Sequence, residues 1–95
     1  MLAKPNQTIV EGRVRAIEPD AAGYGVNVEI EVQRNVSPSR GDDFLQPECG
    51  QVLSLFTPES PAALVGDKVR VQARLLGGPF GERRILEQIE SVPDA

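Results

Sequence analysis

From Val26 to Gln33 the chain alternates: Val26, Val28, Ile30 and Val32 are apolar, while Asn27, Glu29, Glu31 and Gln33 between them are polar. This period of two belongs to a strand with one buried face, since a helix would scatter the same four residues around its circumference. Lys68 to Leu75 repeats the pattern, with Val69, Val71, Ala73 and Leu75 set against Lys68, Arg70, Gln72 and Arg74. Thr8 to Ile17 predicts a third strand, with Val10, Gly12, Val14 and Ala16 turned inward and Glu11, Arg13 and Arg15 outward. Gly12 interrupts the inner face, which marks a bulge or sharp coil where the strand bends.

Two further segments are less regular. QVLSLF, Gln51 to Phe56, is apolar on both sides and predicts a strand covered on both. Arg83 to Ile89 is ambiguous, because Ile85, Leu86, Ile89 and Val92 also fit the stripe of a helix over Glu82 to Ser91. The Gly-Gly-Pro-Phe-Gly before it reads as a hairpin loop and favours a strand. The predicted strands thus cover residues 8–17, 24–36, 51–56, 67–76 and 83–89, with an irregular loop over 37–50. Ser60 as N-cap and Pro61 as first helical residue predict one helical turn, Pro61 to Leu64, between the third and fourth strands.

A chain of 95 residues is expected to form a single domain, residues 1–95, around one core. Its net charge of −4 means that any polyanion must be met by a local basic patch. Cys49 is the only cysteine, so no intrachain disulfide forms, which fits a reducing compartment. With no signal-like amino terminus and no membrane-length apolar run, a cytoplasmic protein without membrane contact is expected. Histidine is absent, which removes the commonest general base and metal ligand and argues against an enzyme.

The organisation resembles the OB-fold: a glycine-interrupted first strand, a long second strand, a short helical turn between the third and fourth, and a final glycine-loop hairpin. The resemblance spans Thr8 to about Val92, and VGDKVRVQARLLGGPFGERRILEQIE, Val65 to Glu90, is similar to the last hairpin of small bacterial OB domains. It implies an all-β fold, a five-stranded Greek-key barrel whose ligands cross strands two and three between the loops joining strands one to two and four to five. Such domains include nucleic-acid binders and subunit-interaction modules, so the fold does not choose among them.

On that resemblance, Tyr24 falls in one rim loop and Phe80 in the other, with Arg83 and Arg84 beside Phe80. Aromatic rings next to guanidinium groups suit single-stranded nucleic acid. Lys68, Arg70 and Arg74 form a basic strip on the fourth strand that adds to this candidate site. Against it stand Glu29 and Glu31 on the second strand, which repel phosphate; the outward Arg13 and Arg15 are placed to pair across to them as a lattice of exposed ion pairs. A purely architectural reading also stays open, with Phe80 capping the barrel and Tyr24 anchoring its loop.

Other constellations are weaker. GGPFGERR lacks the lysine and hydroxyl of a phosphate-binding P-loop, and Arg40 to Asp42 spells an RGD tripeptide in a polar loop. Asp42, Asp43, Glu48 and Cys49 fit neither a calcium nor a zinc spacing, so no metal or other cofactor is expected. The residues therefore point to a non-enzymatic binding module, and the resemblance to the OB-fold implies single-stranded nucleic acid as its ligand. The alternative is protein interaction or self-association through the apolar 51–56 region, with Phe44 and Leu45 either joining the surface or plugging the barrel.

Overall fold

The alternation read from the sequence becomes burial. Val28, Ile30 and Val32 on one strand and Val69, Val71 and Ala73 on another are each no more than 1% exposed. The computed structural model describes residues 6–21, 23–78 and 81–93. Its strands are β1 (Thr8–Pro19), β2 (Val26–Asn35), β3 (Val52–Thr57), β4 (Lys68–Gly78) and β5 (Gly81–Ser91). They form an all-β closed barrel in the order β1-β2-β3-β5-β4, with β4 returning to β1. β3 and β5 pair in parallel and the other neighbours antiparallel. Each fully buried aliphatic side chain contributes about 1.5–3 kcal/mol, against about 0.2–1 kcal/mol for an exposed ion pair, so the interior dominates stability.

Gly12 does what its position predicts. The β1–β2 register shifts between Glu11 and Gly12, and a Cβ at Gly12 would lie 2.1 Å from the Glu31 carbonyl oxygen. Only glycine lets the two backbones approach this closely. A second shift, between Val14 and Ala16, corrects the expected inward face of β1. Arg15 is the extra residue there, so Ile17, opposite Val28, packs on the core in place of Ala16.

β5 is a strand, and its helix-like spacing has a local cause. Leu86 pairs with Ala73 and Gln88 with Gln72, leaving Glu87 as a bulge. Leu86 and Ile89 therefore both reach the core at a separation of three residues, which a regular strand would not allow. The hairpin is longer than expected, because Gly77 pairs with Glu82 and Gly78 with Gly81.

The predicted helical turn at Pro61 to Leu64 is absent, and no helix occurs among the described residues. The Leu64 N–H bonds the Asp67 carboxylate at 2.8 Å, and the Asp67 N–H returns to the Leu64 carbonyl at 3.0 Å. Gly66, at φ 96°, donates to the Val14 carbonyl at 2.8 Å. A turn tied to β1 thus satisfies groups that a four-residue helix would leave open. No helix of the described residues is long and apolar enough to cross a membrane.

Candidate ligand-binding rim

The end of the barrel where β1 turns into β2 gathers side chains from four segments around one ring. Phe56, near the end of β3, lies opposite Asn27 on the outward side of the β2–β3 pair, yet it is only 9% exposed. Three neighbours cover it. Gly25, at φ 73°, passes so close that a Cβ there would sit 2.7 Å from the ring, so the left-handed conformation and the missing side chain are both needed. Tyr24 meets the ring edge-on, with centroids 6.1 Å apart and planes at 89°. The Arg83 guanidinium carbon lies over its face, 4.0 Å from the centroid, in a cation–π contact.

Asp20 holds this arrangement in place. Its Oδ1 accepts from Arg83 Nη2 at 2.9 Å and from Asn27 Nδ2 at 2.9 Å. Its backbone closes the β1–β2 loop, the Asp20 N–H reaching the Gly25 carbonyl at 3.1 Å and the Gly23 N–H reaching the Asp20 carbonyl at 3.0 Å. One residue therefore sets both the loop that presents Tyr24 and the pose of Arg83. Tyr24 itself stays 64% exposed.

Of the residues anticipated at this site, Tyr24 and Arg83 are brought together. Phe80 lies outside the described residues. Arg84 is exposed opposite Leu75, and strand alternation sends it to the other face of the hairpin from Arg83. Two of the three cations in the basic strip on β4, Arg70 and Arg74, are engaged by carboxylates. Arg70 bonds Glu11 at 2.6 Å and Arg74 approaches Glu87 at 3.4 Å, while Lys68 stands opposite Arg13 in the register. The hydrogen bond from Arg70 holds the Glu11 carboxyl below the usual carboxylate range, and Glu11 raises Arg70 in return. A hollow of about 400 Å³ adjoins Arg70, lined also by Ile9, Gln72 and Gln88, and it shares no residue with the rim.

Arg15 pairs with Glu31 at 2.7 Å as anticipated. Arg13, opposite Glu31 in the register, donates to the Gly66 carbonyl at 3.0 Å. Strand β3 is covered on both faces only at Phe56: Leu53 and Leu55 fill the core, while Val52 is 42% exposed. Leu45 packs on the core, and Phe44 is 37% exposed.

Sequence reasoning missed Asp20, Gly25 and Phe56 as parts of one unit. The signal was present in Gly23-Tyr24-Gly25, an aromatic residue bracketed by two glycines with positive φ. Asp43 was singled out only as one acid of the loop group with Asp42, Glu48 and Cys49, not as a buried hub. At the other end of the β1–β2 pair this carboxylate is 4% exposed and accepts from Thr8 Oγ1 at 2.6 Å, Asn35 Nδ2 at 2.7 Å and the Gln46 N–H at 2.9 Å. Burial pushes its carboxyl up, but these hydrogen bonds outweigh burial and hold it below the ordinary value. No group of three or more metal-ligating side chains occurs among the described residues. Compared with protein-family models, with curated proteins and with solved structures, the chain finds no match.

Proposed function

We propose that this protein is a non-enzymatic binding module that takes single-stranded nucleic acid at the rim between the β1–β2 loop and the β4–β5 hairpin. The observation that carries this reading is the exposed Tyr24 ring beside Arg83, both fixed around Phe56. A ring held in place but open to solvent offers a stacking surface at little entropic cost, and base–aromatic stacking contributes about 1–3 kcal/mol per base. The closed five-stranded barrel is compatible with an OB-like fold, in which ligands lie between these two loops. The absence of histidine supports a binding role over catalysis. The lone, unbridged Cys49 suits a reducing, cytoplasmic setting.

Fluorescence anisotropy of a labelled single strand of roughly 12 nucleotides tests the reading. Binding is expected at low salt, and Tyr24→Ala is expected to weaken it by roughly tenfold, within the range of one lost stacking contact. An anisotropy that does not change up to millimolar protein would contradict the proposal.

A further inference from the structure

We infer that the rim recognises the flat face of a base rather than the phosphate beside it, with the guanidinium of Arg83 as a stacking platform next to Tyr24. This rests on the nucleic-acid reading above and narrows it to a ligand class, an unpaired heteroaromatic base presented with its phosphates turned to solvent. The same site then accepts a base-bearing strand and rejects a bare sugar–phosphate chain.

The geometry of Arg83 carries the inference. Its guanidinium lies 4.0 Å over the Phe56 ring, and its Nη2 donates to Asp20 at 2.9 Å. The Asp20 side chain is only 11% exposed, whereas that of Arg83 is 44% exposed. The cation is therefore held by a ring beneath it and a carboxylate at its edge, and its outer face is left for a ligand. Guanidinium planes accept stacked bases much as aromatic rings do. Phe56, at 9% exposed, is covered and cannot take that role itself. Among the described residues, Tyr24 and Arg83 are the exposed planar groups of this cluster.

The surrounding charges disfavour phosphate as the recognised group. The charge of Arg83 is met by Asp20. Along the barrel wall Arg15 is paired with Glu31, Arg70 with Glu11 and Arg74 with Glu87. Glu29 lies on the same outward face of β2 as Asn27, two positions from the Phe56 cluster, and the whole chain carries a net charge of −4. A phosphate placed here would meet a guanidinium whose charge is already balanced by Asp20 and would lie close to that carboxylate, whereas a base stacking on Arg83 needs neither a free charge nor a change in the pair. Purines, with the larger face, are expected to bind more tightly than pyrimidines.

The experiment compares a purine-rich single strand with an abasic strand of the same length, at about 0.05 M and about 0.2 M salt, on the parent protein and on Arg83→Lys. Lysine keeps a charge for Asp20 but offers no plane. The expected result is binding at least roughly tenfold weaker for the abasic strand and for Arg83→Lys, with a salt slope no steeper than about 0.7, the value for one phosphate contact. An unchanged amide spectrum of Arg83→Lys around Asp43 verifies that the variant is folded. Equal affinity for the abasic strand, undiminished binding by folded Arg83→Lys, or a slope of several phosphates overturns the inference while leaving the nucleic-acid reading in place. If no base-bearing strand binds at all, both are overturned.

Discussion

The two ends of the β1–β2 pair are each built around an aspartate, and they differ in what that aspartate receives. Asp43 accepts uncharged donors, a hydroxyl, an amide and a backbone N–H, and the loop carrying it closes over the barrel with Leu45 on the core. Its neighbourhood extends through Ser37, whose Oγ donates to Asn35 Oδ1 at 2.6 Å and accepts the Ile9 N–H at 3.0 Å. Asp20 instead receives a guanidinium that lies on an aromatic ring, and the tyrosine beside that ring remains exposed. One end spends its hydrogen bonds on closure, while the other fixes a surface that stays open. The lesson is that a partly buried carboxylate does not by itself mark a site; what distinguishes the rim is the planar surface that its partner presents.

This contrast predicts that substitutions at the closed end cost stability and those at the open end cost binding. The largest effect is expected for Asp43→Ala, which orphans several donors in a buried setting. It is expected to lower the unfolding free energy by about 3 kcal/mol in urea denaturation, with the affinity of the remaining folded protein unchanged. Acid acts on the same hub. Because the folded-state carboxyl of Asp43 lies below its ordinary value, the stability it contributes is present above the unfolded pKa and is lost as pH falls through the folded one. Thermal unfolding followed from pH 7 downwards is expected to show a loss in the acid range that is smaller in Asp43→Asn.

At the open end, Asp20→Ala is expected to cost only about 1 kcal/mol, since its ion pair is partly solvated. It also frees the charge of Arg83, so nucleic-acid binding is expected to become more salt-sensitive than in the parent, as read by anisotropy at two salt concentrations. The smallest effect on stability is expected for Tyr24→Ala, less than about 0.5 kcal/mol for an exposed side chain, although this variant loses affinity. If urea curves placed Tyr24→Ala beside Asp43→Ala, the division between the two ends would fail.

The barrel was legible because its strands alternate, and alternation is a local property. Where legibility failed, a bulge had changed the parity. Arg15 displaced Ala16 from the core in favour of Ile17, and Glu87 brought Leu86 and Ile89 to the same side. Chain patterns cannot register these shifts, because a bulge is defined by the partner strand. The turn after Pro61 was misread for a related reason: its hydrogen bonds go to Asp67 and, through Gly66, to Val14, and a capping signal reports neither.

At the candidate site, Tyr24 and Arg83 were legible as residue types suited to stacking. Phe56 was not, because its apolar neighbours Leu53 and Leu55 made it look like one more core residue of β3. Asp20 and Asp43 were unremarkable acids in polar loops. Their roles depend on partners 63 and 35 residues away, separations that no local pattern reports. The basic strip of Lys68, Arg70 and Arg74 was visible as charge, while the acids opposite it came from β1 and β5.

The most direct test of the account is an amide and aromatic-ring NMR titration of the protein with a purine-rich single strand. Tyr24 is the only tyrosine in the chain, so its ring signals report on the rim without ambiguity. Shifts are expected at the Tyr24 ring and at the amides of Gly25, Phe56 and Arg83, with the amides around Asp43 unmoved. Shifts centred on the Asp43 loop or on the hollow beside Ile9, with the Tyr24 ring silent, would contradict it.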